Sequence, residues 1–168
     1  AQELADSLIS KGFSCLALHG DLEQRDRDQT LVRFANKSVS VLVATDVASR
    51  GLDIDSVDMV LNYHIAHDPE IHVHRIGRTG RAGSKGVACS LISNKEAHKV
   101  MKLESYLGHD IEALELPPLD VLNKAPTTAD MVTIQIDGGK KQKVRAGDIL
   151  GALTSGKKIE GKQIGKIQ

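Results

Sequence analysis

Three arginines recur at every third position in His74-Arg75-Ile76-Gly77-Arg78-Thr79-Gly80-Arg81, with two glycines between them. A guanidinium is planar and permanently charged, and its donors match phosphate oxygens two at a time. Glycine lets the main chain approach an anion where a Cβ would intrude. The pattern is one for handling phosphates. Taken alone, the same residues also describe a solvated basic helix end whose arginines pair with carboxylates, so the weight falls on what accompanies them.

Two further stretches carry groups of the same kind. His19-Gly20-Asp21 is followed closely by Gln24 and Arg27, and Ala44 to Ile54 contains Thr45, Asp46, Arg50-Gly51 and Asp53. A Thr45 hydroxyl suits a backbone phosphate and an Asp53 carboxylate suits ribose hydroxyls. The alternatives are a strand-end hydroxyl bonding its own backbone and a loop cap. His64, His67, His72 and His74 invite a metal reading, but no Cys or carboxylate stands at a ligand spacing, and no metal site is assigned. Cys15 and Cys89 lie in apolar runs without CxxC spacing and read as reduced core thiols.

The elements that must position these groups follow from periodicity. Leu4, Leu8 and Ile9 recur at helix spacing up to Gly12; a chain that starts inside a helix predicts further sequence upstream. Phe13 to Leu18 reads as a buried strand. Asp21 is placed to cap a helix from Leu22 to about Asn36, whose Leu22, Leu31, Val32 and Phe34 form a sparse core stripe. Strands are predicted at Val39 to Ala44, Val57 to Tyr63 and Gly86 to Ile92. Their continuous apolar character implies cover on both faces, as in a parallel sheet. Pro69 starts a helix leading into the arginines, Lys95 to Leu107 forms another ended by Gly108, and Ala113 to Leu116 is a candidate last strand.

This order predicts an α/β domain, a parallel sheet flanked by helices, over residues 1–118. Ligands bind such sheets at the carboxyl ends of the strands, and all three stretches are expected to converge there. Pro117-Pro118 and the polar residues that follow mark a linker over 119–130. Beyond it a strand is predicted at Met131 to Ile136, a turn at Asp137-Gly138-Gly139, a basic run at Lys140, Lys141, Lys143 and Arg145, and a helix at Gly147 to Leu153.

The bulk composition agrees with a globular domain. It is 40% hydrophobic and 26% charged, and 2% aromatic content without Trp argues against a base-stacking platform. No apolar run approaches the roughly 18 residues of a membrane span, and no signal-peptide layout opens the chain. A cytoplasmic protein is expected, with no membrane partner. Net charge is zero but uneven: residues 1–123 hold 13 basic against 18 acidic residues, and residues 124–168 hold nine against four. A basic tail on an acidic body fits a polyanion partner, or a solubilising extension.

Ala44-Thr45-Asp46-Val47-Ala48-Ser49-Arg50-Gly51-Leu52-Asp53-Ile54 resembles motif V of the DEAD-box RNA helicases, and residues 74–81 resemble their motif VI without a substitution. His19-Gly20-Asp21 with Gln24 and Arg27 resembles the RNA-contacting segment between motifs IV and V. The resemblance covers residues 1 to about 120 and implies the second RecA-like lobe, lacking its first strand. Residues 131–165, with Ile136 to Lys141 and Gly147 to Leu153, resemble the opening of the RRM-like RNA-binding module of a bacterial subfamily, the DbpA type, broken off within that module.

That resemblance implies roles. Arg78 and Arg81 would be catalytic arginine fingers toward ATP, and Gly51 and Asp53 would complete the nucleotide contact. Arg75 would organise the motif by pairing with a carboxylate. Gly20, Gln24, Arg27, Thr45 and Asp46 would contact RNA, with Asp46 accepting from a 2′-hydroxyl or holding its loop, and Lys140, Lys141 and Lys143 would add contacts from the tail. ATP with Mg²⁺ would be held mainly by an N-terminal RecA-like lobe of the same protein. The RNA expected is large-subunit ribosomal RNA, the role bacterial large-subunit assembly, and the state monomeric. These 168 residues contain neither GxxxxGK[ST] nor an Asp-Glu-Ala-Asp run, so alone they are expected to lack ATPase activity. A non-catalytic RNA-binding or adaptor module is the alternative; a DNA-directed translocase fits the motif VI residues less well.

Overall fold

The computed structural model describes residues 1–46, 57–80, 83 and 85–167. Helix α1 (Gln2–Ser10) leads to β1 (Cys15–Leu18), α2 (Gln24–Ala35) and β2 (Val41–Ala44). Beyond them come β3 (Met59–Asn62), α3 (Pro69–Ile76), β4 (Val87–Ser90), α4 (Ala97–Leu107) and α5 (Ala146–Ser155). Both strand pairs are parallel: β1 on β2 with Leu18 beside Ala44, and β3 on β4 with Asn62 beside Ser90.

Backbone chemistry sets the helix ends. Gly12, at φ 90°, closes α1, with Phe13 N–H donating to Leu8 O and Gly12 N–H to Ile9 O. Asp68 caps α3 by accepting from Glu70 N–H at 3.0 Å, Pro69 occupies the first turn, and Gly108 ends α4 at φ 74°. Helix α2 departs from expectation. Its N-cap is Glu23, because Asp21 lies too far upstream to reach the first-turn N–H groups; Asp21 sits instead 3.4 Å from the His19 imidazole.

The core lies between α1 and the first strand pair, where Ala5, Cys15 and Ala17 are buried against Leu8, Phe13, Val41 and Val43. On α2 Thr30 is buried at 8% exposure beside half-buried Leu31 and Phe34, while Val32 is 42% exposed, so the expected stripe holds without Val32. The second pair is covered on one face only among the described residues. Asn62 is buried, but Met59 and Leu61 are 57% and 54% exposed, which corrects the expectation of strands covered on both sides. Short runs of apolar residues do not reveal how many layers pack on them.

Residues 113–116 form no strand, and residues 131–136, expected as a strand, take no regular secondary structure. Residues 131–134 alternate in exposure, but among the described residues no strand pairs with them. Thr133 faces the body of the lobe and Val132, Ile134 and Ile136 face away. No helix among the described residues is long and apolar enough to cross a membrane.

Candidate functional site

The carboxyl ends of β1 and β2 bring the first two sequence stretches together. Thr45 N–H continues the ladder by donating to Leu18 O at 3.1 Å, so Thr45 and Asp46 leave the sheet beside His19 and Gly20. Gly20 and Thr45 are exposed. Gln24 opens α2 and donates to Asp28 at 2.7 Å, and Arg27 lies half-buried on the same first turn.

Arg75 reaches this rim from the last turn of α3. Its Nε and Nη2 donate to the two oxygens of Asp46 at 2.6 and 2.7 Å, and Nη1 donates to Asn62 Oδ1 at 3.2 Å and His64 O at 2.8 Å. Asn62, itself buried, passes the chain of bonds to Ser90 Oγ at 3.1 Å. One guanidinium thereby ties the end of β2 to the ends of β3 and β4. The carboxylate that Arg75 needs is supplied from another loop, and both Asp46 oxygens are committed to it.

The rest of the arginine stretch goes elsewhere. Arg78 O accepts from Val57 N–H at 3.0 Å, and the Thr79 hydroxyl donates to Val57 O and, at 3.2 Å, to Asp58 O. Those partners precede β3, so the backbone of Arg78 and Thr79 lies by the amino ends of β3 and β4. The expected convergence of all three stretches on one rim is met by Arg75 but not by this turn. Gly86 closes over it: a Cβ there would collide with the Thr79 side chain and the Gly80 N–H. Here a glycine is required by close approach, and nothing in the sequence marked it as part of the site.

His72, one turn before Arg75, is buried, and its Nδ1 has no hydrogen-bond partner. Burial, then the neighbouring Arg75 charge, pushes its pKa below the usual histidine value. Gly51, Asp53 and Arg81 lie outside the described residues, as does the Lys140 side chain; Lys141 and Lys143 are exposed, Lys143 at φ 61°. Among the described residues no group of three or more His, Cys, Asp or Glu is arranged to hold a metal ion. Gly156 to Lys162 has the spacing of a phosphate loop's GxxxxGK, but Gln163 stands where a hydroxyl is needed. The stretch follows a helix rather than a strand, and Lys162 pairs with Glu160 at 2.7 Å.

Comparison with known proteins places these features. Residues 1–83 match the helicase conserved C-terminal domain, and residues 133–168 match the DbpA RNA binding domain. The chain is 54% identical over 166 residues to the ATP-dependent RNA helicase DbpA of Escherichia coli (strain K12), covering 99% of this chain and 36% of that protein. It is 36% identical over 179 residues to the Bacillus subtilis (strain 168) ATP-dependent RNA helicase DbpA, covering 95% and 37%. The chain thus spans little more than a third of the length of these curated relatives. Among solved structures, the E. coli DEAD-box protein SrmB, bound to regulator of ribonuclease activity A, aligns with a TM-score of 0.66 at 38% identity, over 76% of this chain and 72% of that one. The chain belongs to the DEAD-box RNA helicase family, as a C-terminal RecA-like region continued by DbpA-type RNA-binding sequence.

Proposed function

We propose that this chain is the C-terminal lobe of an ATP-dependent RNA helicase that couples ATP binding and hydrolysis to RNA unwinding, in bacterial large ribosomal subunit assembly. The observation that carries the reading is the Arg75 hub, since it fixes the loop bearing Thr45 and Asp46 to the helix that leads into Arg78. A shift in one loop is then felt in the other. Residues 1–118 form the RecA-like unit, 119–130 the connection and 131–168 the RNA-binding part.

In this reading ATP and Mg²⁺ are held mainly by an N-terminal RecA-like lobe, because GxxxxGK[ST] and Asp-Glu-Ala-Asp runs are absent from these residues. Arg78 and Arg81 neutralise charge developing on the transferred phosphoryl group, and Asp53 beside Gly51 holds the ribose. Gly20, Gln24, Arg27 and Thr45 contact phosphates and 2′-hydroxyls of one RNA strand, with Lys140, Lys141 and Lys143 adding contacts from the tail. Asp46 holds the loop through Arg75 rather than meeting a phosphate. Because both ligands bridge two lobes, each favours the closed state that suits the other, and hydrolysis reopens the cleft.

The test is RNA-stimulated ATP hydrolysis after mixing this chain with a separately prepared N-terminal RecA-like lobe. Mixing is expected to restore turnover, and Arg81→Ala to lower it on the order of 10³–10⁵-fold. Salt-dependent RNA binding with no turnover, even after fusing the lobes, would replace this reading with that of a non-catalytic RNA-binding module.

A further inference from the structure

The connection after the RecA-like unit, and the first residues of the RNA-binding part that follows it, are fastened to that unit at several points. Pro126 packs against Gly12, where an added Cβ would stand 3.4 Å from its ring, and Thr127 O accepts from Ser40 Oγ at 3.3 Å. Met131 N–H donates to Lys37 O at 3.3 Å. Thr133 Oγ1 lies 2.7 Å from both Asn36 Nδ2 and Ser38 Oγ, and Gln135 Oε1 accepts from Gln29 Nε2 at 3.1 Å.

The receiving platform is the C-terminal end of α2. Lys37, at φ 62°, turns left-handed; its N–H returns to Phe34 O and the Ser38 N–H to Arg33 O. That turn presents the Lys37 carbonyl and the Asn36 and Ser38 side chains outward together.

Direction matters as much as contact. Thr133 meets Asn36 at the end of α2, and Gln135 meets Gln29 about 10 Å nearer the helix start. The segment therefore runs antiparallel to α2, toward Gln24 and Arg27. Past Gln135 the chain turns compactly, Val144 N–H closing on Gly139 O at 3.0 Å, and this turn carries Lys141 and Lys143.

We propose that residues 126–135 are a strap that fixes the tail on the lobe, making the start of α2 and the basic turn at Lys141 and Lys143 one RNA-binding unit. The RNA half of this inference rests on the function proposed above. A flexible tether would let the two surfaces bind independently, whereas a fastened one joins them in a single event with a high effective concentration.

Two readouts on the full 168-residue chain test it separately. In amide hydrogen exchange, the Met131 and Gln135 region is expected to be protected at least ~10-fold over free chain, with protection lost in Thr133→Val and restored in Thr133→Ser. In titrations with a fluorescent single-stranded RNA of roughly 16 nucleotides, Thr133→Val is expected to weaken binding about 10-fold, although it removes no charge. No protection in the wild type would overturn the strap. Protection lost in Thr133→Val with RNA affinity unchanged would overturn the coupling. If the wild type binds no RNA at all, the RNA reading fails and the coupling with it, while the exchange result still decides the strap.

Discussion

Arg75 and Asp46 stand 29 residues apart in the chain and meet fork to fork, at 2.6 and 2.7 Å, with only 25% and 33% of their side chains exposed. Exposed ion pairs contribute about 0–1 kcal/mol. This one is partly dehydrated, doubly bonded and extended to Asn62 and the His64 carbonyl, so its removal strands several acceptors at once. Arg75→Ala is expected to lower unfolding free energy by about 2–4 kcal/mol in urea denaturation. Arg75→Lys keeps the charge but loses the fork and is expected to recover less than half of that loss.

Gly86 fixes the height of the arginine turn above β4. A methyl group there meets the Thr79 side chain and the Gly80 backbone, neither of which can swing aside without breaking the bonds to Val57 and Asp58. Gly86→Ala is expected to cost about 1–3 kcal/mol of stability. In the reconstituted two-lobe assay it should also reduce turnover more than Val87→Ala, a neighbouring change on an exposed residue. Equal effects of the two would mean that Gly86 serves only the strand.

Lys37 occupies a left-handed position at the end of α2 that glycine fills without strain. Lys37→Gly is expected to raise stability by about 0.5–1 kcal/mol, read as a higher urea midpoint at unchanged slope. Its main-chain carbonyl, which receives Met131 N–H, is retained in that variant. The gain should therefore leave protection of residues 131–135 intact.

Much of this architecture was legible in the residues, for stated reasons. Gly12, Pro69 and Gly108 punctuate helices by local backbone chemistry, and the structure ends or starts α1, α3 and α4 there. What stayed hidden was set by tertiary partners. Asp46 read equally as a 2′-hydroxyl acceptor or a loop holder, and which carboxylate Arg75 would take was hidden until the two met; Gly86 looked like a strand margin until Thr79 packed on it. The alternation at 131–136 predicted a strand, and none forms there: its polar face is received by α2, through Asn36 and Gln29, and not by a neighbouring strand.

His72 makes stability depend on pH near neutrality. Its pKa is depressed in the fold from an ordinary 6.5 by burial and then by Arg75, so the unfolded chain binds the proton more readily. Stability is expected to be level above pH 7 and to fall as pH drops through 6.5, a decline that His72→Leu should flatten. Glu96 acts in a separate window. Bonds from Lys99 and Ser93 hold its pKa down to about 2, so its contribution is present above the ordinary carboxylate value of 4.5 and lost as pH falls from there toward 2. The difference between wild type and His72→Leu in denaturation midpoints at pH 7.5, 6.5 and 5.5 reads His72, clear of the Glu96 window.

Salt dependence separates the two halves of the RNA surface. Each phosphate neutralised on a single strand adds about 0.7 to the slope of log K against log salt. Lys141→Gln with Lys143→Gln is expected to lower the slope by about 1.4, and Arg27→Gln by about 0.7. Gln24→Ala removes a neutral amide and should weaken binding without changing the slope. If the Lys141 and Lys143 changes left the slope untouched while Arg27→Gln reduced it, RNA would be held by the RecA-like rim alone. The basic turn would then serve only to keep the tail in solution.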